Sequence, residues 1–339
     1  MANTGARRML AAWAAKVGER NSFNALPRRN CLIVINYHRI GIAGTSPFDT
    51  NVFSATPAEF DDQVTFLKKH FGIVTMAEAI AFARGETSWR GAAALLTFDD
   101  GYVDAYDTVF PILRSHGVQG SFFLPTSFIG THRVPWWDAI AHQIFATDRK
   151  SLRLMYPKRF EFPLDSTRHG ALKRMHSLYK HPATDPQRFL SALEQATGVE
   201  APAVTPERLF MNWREAAEMV AGGMAIGSHT HSHELLSRMS WAQQLEDFRR
   251  SRNILEARLG VRVDTLAMPV GSRTSFSKFT PACLEESGYR AAFSFYGGVN
   301  LARKTNPFNI CRIDGDLDEG HSMFVLKTQL AAAVGRTFR

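Results

Sequence analysis

The sequence predicts an α/β protein whose parallel strands carry helices on the outside. Short apolar runs rich in β-branched residues alternate along the chain with segments whose apolar residues recur at helical spacing. This alternation is typical of parallel sheets. The chain has 339 residues, of which 45% are hydrophobic and 21% charged, so it can bury the core of one large domain. A barrel and a doubly wound sheet both satisfy the pattern.

The first half of the chain contains four predicted strands. The apolar run CLIVINY at residues 31–37 predicts the first, buried on both faces. Thr56 and Glu59 have the spacing of a capping box, which predicts that a helix begins there. Gly117 is expected to end a helix that begins near Tyr106. The other three strands are predicted at 71–75, 93–98 and 120–125, with a further helix at 76–83.

The second half resumes the alternation after a break. Strands are predicted at 224–228, 264–268, 290–295 and 311–313, and helices at 242–259 and 280–287. Residues 147–206 are basic and mixed, with predicted helices near 171–179 and 186–197. We interpret 31–339 as a single domain with an insertion at about 147–206, after the fourth strand.

Residues 1–30 are predicted to form an N-terminal extension with an amphipathic helix. Met9, Leu10, Trp13 and Val17 recur at helical spacing. The apolar stretch from residue 9 to 15 is far too short for a transmembrane helix and only marginal for a signal peptide. We therefore predict a cytoplasmic protein whose helix packs on the domain. Peripheral contact with a membrane surface is the alternative.

Charge and cysteine content argue against nucleic-acid partners, a thiolate zinc site and a disulfide scaffold. The formal net charge is +8, which favours acidic partners. Basic residues do not alternate with aromatic ones in a stripe, and no nucleic-acid motif is present, so we expect no nucleic-acid partner. Cys31, Cys283 and Cys311 are far apart in sequence, which argues against a thiolate zinc site and a disulfide scaffold.

Two adjacent carboxylates, Asp99 and Asp100, follow the third predicted strand directly. Ligands bind at the carboxyl ends of strands in α/β folds, and the turn at Gly101 can bring both side chains into one pocket. One carboxylate can then bind a metal while the other acts as a base. The alternative is a solvated Asp-Gly turn.

Three histidines, His229, His231 and His233, occupy five residues after a later strand. Imidazole is a good ligand for zinc and other divalent metals, so the cluster indicates a metal site. An extended backbone would put all three on one face, whereas a helical turn would pair only His229 and His233. The alternative is a polar loop of exposed histidines.

The segments TFDDGY at 97–102 and SHTHSH at 228–233 resemble two motifs of the polysaccharide deacetylase superfamily, carbohydrate esterase family 4. The resemblance extends over most of the chain, roughly residues 31–313. It implies a distorted, incomplete (β/α) barrel of about seven strands. It also implies hydrolysis of N-acetyl groups on N-acetylhexosamine units of a polysaccharide or glycan precursor.

The resemblance also implies a role for each motif residue. Asp99 corresponds to the catalytic base, and Asp100, His229 and His233 to ligands of one divalent metal ion, usually zinc. The peptide N–H of Tyr102 would stabilise the oxyanion of the reaction. His231 falls at a variable position and is left outside the site.

The third motif of the superfamily departs from the expected pattern. Ala267 stands where an arginine orients the base in other members. Arg273 or Arg312 is the candidate replacement. The nearby Pro269 is a predicted substrate contact.

The general acid is also displaced. In the superfamily the usual acid is a histidine in a C-terminal Leu-x-His motif. That motif is missing here, and His321 lacks a strand before it. Tyr37 and His38, at the end of the first strand, instead resemble the early Tyr-His motif of an exopolysaccharide-type branch. We therefore predict that His38 protonates the leaving amine. The alternative is a buried histidine that serves the strand end only.

Trp136 and Trp137 follow the fourth strand on the side of the sheet where substrates bind, and are predicted sugar contacts or core residues.

Three other functions compete with N-deacetylation. They are O-acetyl ester hydrolysis at the same site, an inactive glycan-binding homologue, and nucleic-acid binding. An intact Asp99 argues against the inactive homologue.

Overall fold

The computed structural model describes residues 30–44, 46–164 and 168–315, together with Phe324 and Thr328. The predicted N-terminal helix and His321 lie outside the described residues. None of the helices in the described ranges is both long and apolar enough to cross a bilayer.

The central sheet confirms the predicted incomplete (β/α) barrel. The strands are β1 Cys31–Tyr37, β2 Arg39–Ile40, β3 Phe53–Ala55, β4 Gly72–Ile73, β5 Ala92–Phe98, β6 Ser121–Leu124, β7 Ser151–Leu154, β8 Phe160–Pro163, β9 Ala225–Ser228, β10 Thr265–Ala267, β11 Ala291–Phe293, β12 Asn300–Leu301 and β13 Ile313–Asp314. Seven of them form the path of the sheet in the order β11-β10-β9-β6-β5-β1-β12, all parallel except β12. In addition, β4 pairs with β5, and β13 pairs with β1.

Apolar runs explain the two longest strands. Every residue of β1 and β5 is buried, and the pair is in register from Cys31 opposite Ala92 to Tyr37 opposite Phe98. Both faces are covered because helices lie on one side and barrel side chains on the other. The ends of β1 and β5 therefore lie together, and so do the residues that follow them.

Helices fill the connections between strands. The predicted capping box is present, with Thr56 and Glu59 bonding each other's backbone N–H. Gly117 and Gly260 end their helices in the left-handed conformation, as predicted. The helices are α1 Pro57–His70, α2 Met76–Ala83, α3 Phe110–His116, α4 Trp136–Ala146, α5 Arg168–Tyr179, α6 Pro186–Thr197, α7 Trp213–Ala221, α8 Trp241–Leu259 and α9 Thr280–Glu286, and a π-helical segment at Ala105–Val109 precedes α3.

The segment between β6 and β9 contains α4, the hairpin β7–β8, α5, α6 and α7. Side chains of α4, β7, α5 and α6 share a hydrophobic cluster apart from the barrel core, which includes Ile144, Leu152, Leu172 and Phe189. The helices predicted near 171–179 and 186–197 are present, whereas α4 and the hairpin were not predicted. The division of the chain into one domain with an insertion stays a prediction.

The segment from Ile310 to Asp314 contacts β11, at one end of the strand path, and β1, next to the other end. Ile310 bridges Phe293 of β11, and Ile313 pairs with Ile35 of β1. The residue between them, Arg312, is therefore carried across the mouth of the barrel. This placement brings it to the ends of β1 and β5.

Candidate metal centre and active site

The turn after β5 holds Asp99 and Asp100 inside the barrel mouth. The peptide N–H of Asp99 donates to the carbonyl of Tyr37, 2.9 Å away. Asp100 and Gly101 then take left-handed φ angles of 71° and 69°. A Cβ on Gly101 would lie 2.7 Å from a side-chain carbon of Ile129, so the turn requires glycine here. Both carboxylates are buried, which excludes the solvated-turn alternative.

The turn after β9 pairs only two of its three histidines. Thr230 and His233 have left-handed φ angles of 67° and 57°, and the Thr230 hydroxyl accepts the peptide N–H of His233 at 2.9 Å. His229 and His233 therefore face inward. His231 points away, with its Nδ1 2.8 Å from the Thr126 hydroxyl, and its exclusion from the site stays a prediction. Non-glycine residues in this backbone region are strained, a feature common at functional sites.

Asp100, His229 and His233 bring three ligand atoms together. The His229 Nε2 and His233 Nε2 atoms are 3.2 Å apart, and Asp100 Oδ1 lies 3.4 Å from the first and 3.2 Å from the second. Tetrahedral zinc with ligand bonds near 2.0–2.1 Å would separate its ligand atoms by about 3.3 Å. All three residues are buried. The donor set and its spacing therefore fit one divalent metal ion.

The position of Ala267 has a role that does not depend on its side chain. Its carbonyl oxygen lies 2.8 Å from Nδ1 of His229, which fixes the ring with Nε2 toward Asp100.

Burial disfavours ionisation of Asp100, but hydrogen bonds from His229 and His233 hold the pKa of this carboxyl well below its ordinary value. Burial lowers the pKa of His233, which favours the neutral ring that a metal requires.

Arg312 takes the place of the missing arginine beside the predicted base. Its two terminal nitrogens donate to Asp99 Oδ1 and Oδ2, each at 2.8 Å. Asn36 also donates to Asp99 Oδ2 at 3.2 Å and accepts from Arg312. Burial alone would raise the pKa of Asp99, but Arg312 and His229 hold it below its ordinary value, so Asp99 is ionised. Arg273 instead lies over the ring of Tyr296.

Replacing Arg312 by lysine is expected to lower kcat about tenfold or more with little change in KM. One ammonium group cannot bond both oxygens of Asp99 in a fixed plane, so the base loses its orientation. Steady-state kinetics of the predicted deacetylation test this, with Arg273→Lys as the matched control. Equal losses in the two variants, or a loss confined to KM, would rule out this positioning role.

A cavity of about 520 Å³, part of it open to solvent, is lined by Asp100, His229 and His233. His38 lines it, so the predicted acid faces the same space as Asp99. Pro269 does not line it, but its neighbours Met268 and Val270 do. Sequence reasoning missed three further polar residues that line the cavity: Asp49, His176 and Lys180.

The predicted sugar contacts, Trp136 and Trp137, both line this cavity and begin helix α4. Trp136 stacks on Tyr179 with ring centroids 4.2 Å apart. The indole N–H of Trp137 donates to the Tyr102 hydroxyl at 2.7 Å, which in turn donates to Asp138 at 3.1 Å. Both indoles are thus held in place by the protein.

The side chain of Tyr102 is fully buried. Burial raises the pKa of its partner Asp138 to about 7. The peptide group of Tyr102 directly follows Gly101 in the turn beside Asp100. Its role as an oxyanion donor stays a prediction.

The family model described as polysaccharide deacetylase matches residues 89–292, which is more than half of the chain. A curated relative is the poly-beta-1,6-N-acetyl-D-glucosamine N-deacetylase of Staphylococcus aureus. It is 20% identical over 138 residues, a match that covers 38% of this chain and 45% of the relative. The match thus spans less than half the length of that relative.

Two solved structures share the fold over most of the chain. IcaB from Ammonifex degensii aligns with a TM-score of 0.57 at 19% identity, over 90% of this chain and 98% of that one. The deacetylase PplD of Streptococcus pyogenes, solved with acetate, aligns with a TM-score of 0.55 at 17% identity, over 88% and 98%. At this identity the likeness shows the fold alone.

Proposed function

The chain belongs to the polysaccharide deacetylase family, and from this premise we propose that it hydrolyses N-acetyl groups of N-acetylhexosamine units in a polysaccharide or glycan precursor. One observation carries the proposal. A buried carboxylate, Asp99, lies beside the three-residue donor set of Asp100, His229 and His233, with Asp99 Oδ2 3.9 Å from His229 Nε2. A base next to a metal site is what amide hydrolysis requires.

Asp100, His229 and His233 would hold the metal, for which zinc is our proposal because the set is two imidazoles and one carboxylate. When bound, zinc polarises a carbonyl group and lowers the pKa of water. Asp99, oriented by Arg312, takes the proton from the attacking water at a carboxylate oxygen.

The remaining roles belong to residues around the cavity. The peptide N–H of Tyr102 donates to the carbonyl oxygen as negative charge develops there. His38 donates a proton to the departing nitrogen, so that the sugar leaves as an amine. Trp136 and Trp137 supply flat apolar walls against which a sugar ring can pack.

Product analysis tests the proposal. The purified protein is incubated with β-1,6- and β-1,4-linked N-acetylglucosamine oligomers and with an O-acetylated oligomer, and acetate and free primary amine are measured together. We expect equal amounts of acetate and amine from an N-acetylated oligomer, loss of both with chelator, and recovery with zinc. Acetate from the O-acetylated oligomer alone would support an esterase. No acetate from any oligomer would contradict both activities.

A further inference from the structure

A second cavity, here called the outer cavity, adjoins the inner cavity that Asp100, His229 and His233 line. It is an open groove, and its volume of about 1500 Å³ includes space open to solvent. His176, Lys180 and Val270 line both cavities, so the two meet at these residues. A substrate whose acetylated sugar occupies the inner cavity would therefore extend its next group into the outer one.

Helix α5 supplies one wall of the outer cavity. It contributes Lys173, His176 and Ser177, and Lys180 directly follows its last residue; the four share the spacing of one helical face. Two positions of this face carry lysines, Lys173 and Lys180, whereas burial lowers the pKa of His176 to about 4, so its ring is neutral near pH 7. The opposite wall has only hydroxyl and apolar groups, from Val270, Ser272 and Thr274, with Asn51, His181, Pro182 and Ala183 completing the lining.

The charges in this cavity are unbalanced. No carboxylate of the described residues lines it. Lys173 and Lys180 form no ion pair within the described ranges. Two acids of the inner cavity act on Lys180, Asp49 and Asp100, and neither lines the outer cavity. Asp49 already accepts hydrogen bonds from Asn51 and lies 3.6 Å from His176.

Lys180 stands where the cavities meet, with its ammonium nitrogen 5.7 Å from the ring centroid of Trp136. Burial lowers the pKa of Lys180, so water solvates its charge poorly. An anion placed beside this ammonium group would compensate for the lost hydration.

We infer that the outer cavity binds a negatively charged group, a phosphate or a carboxylate, on the unit next to the acetylated sugar. The inference rests on the proposed function, because it places this anion on the same substrate. Lys173 and Lys180 would supply the charge, and hydroxyls such as Ser177 and Thr274 would donate to its oxygens.

Three matched disaccharides test the inference at low ionic strength. One is neutral di-N-acetylated, one carries a glucuronate beside the N-acetylglucosamine, and one carries a phosphate on the neighbouring unit. We expect kcat/KM for acetate release to be about tenfold higher with an anionic disaccharide than with the neutral one, because a hydrogen-bonded charge pair has about this effect. The preferred anion identifies the source as an acidic sugar or a phosphate.

Charge reversal locates the effect. Lys173→Glu should abolish the preference for the anionic disaccharide. The matched control Lys158→Glu changes the same net charge at an exposed position of the same segment, away from both cavities, and should keep the preference. If both variants lose the preference equally, the preference arises from the net charge of the protein and not from the outer cavity, and the inference is overturned.

Failure of the inference differs from failure of the proposed function. Acetate release without any preference for the anions would overturn the outer site and leave the deacetylase. If no disaccharide releases acetate, calorimetric binding of all three to Asp99→Asn decides the outer site. Tighter binding of an anionic disaccharide would support it, and equal affinities would refute it.

Discussion

Replacing Asp99 by asparagine is expected to lower acetate release about a thousandfold, because the amide cannot accept the proton of the attacking water. Asparagine has nearly the same shape, and the donor set of Asp100, His229 and His233 is unchanged. The variant should therefore bind as much metal as the wild type. Measurements of kcat and of metal content by mass spectrometry check both statements.

Two controls separate chemistry from folding. Asp107→Asn makes the same change at a surface carboxylate and should leave activity unchanged. Asp99→Asn also leaves the buried guanidinium of Arg312 without its charge partner, which should cost about 3 kcal/mol of stability. The double variant Asp99→Asn, Arg312→Met should recover much of that loss and remain inactive. More than a tenth of wild-type activity in a metal-loaded Asp99→Asn variant would remove Asp99 from the role of base.

The strands that sequence predicted best are those that are apolar on both faces. β1 matches its prediction at both ends, because a seven-residue apolar run has few other ways to be buried. The two-residue strands β2 and β12 are too short to show any period. Helix α4 was missed because Pro135, which precedes it, gives no side-chain cap and the helix starts with two tryptophans.

Local motifs predicted the donor set of Asp100, His229 and His233, whose atoms the structure brings together, and the family match confirms the resemblance from which their roles were inferred. Long-range contacts were harder to predict. Sequence left Arg273 and Arg312 as alternatives, because only the segment that joins β11 to β1 brings Arg312 to the base. His176 and Lys180 were missed because helix α5 reaches the cavity through packing between distant parts of the chain.

Replacing either His229 or His233 by alanine has the second large expected effect, the loss of bound metal. His229→Ala and His233→Ala each remove one of three ligands, so we expect bound metal to fall from one equivalent to nearly none after dialysis, with acetate release lost in parallel. His231→Ala is the matched control. It lies between the two ligands but faces Thr126, and should keep both metal and activity.

Thermal unfolding gives a readout of the same site without substrate. Zinc at about a thousand times its dissociation constant should stabilise the wild type and His231→Ala by about 4 kcal/mol relative to chelated protein. His229→Ala and His233→Ala should show little of this difference, because the remaining two ligands bind far more weakly. A full equivalent of metal in His233→Ala, or its loss in His231→Ala, would mean that the ion is held by other residues, and the assignment of Asp99 as its neighbouring base would fail as well.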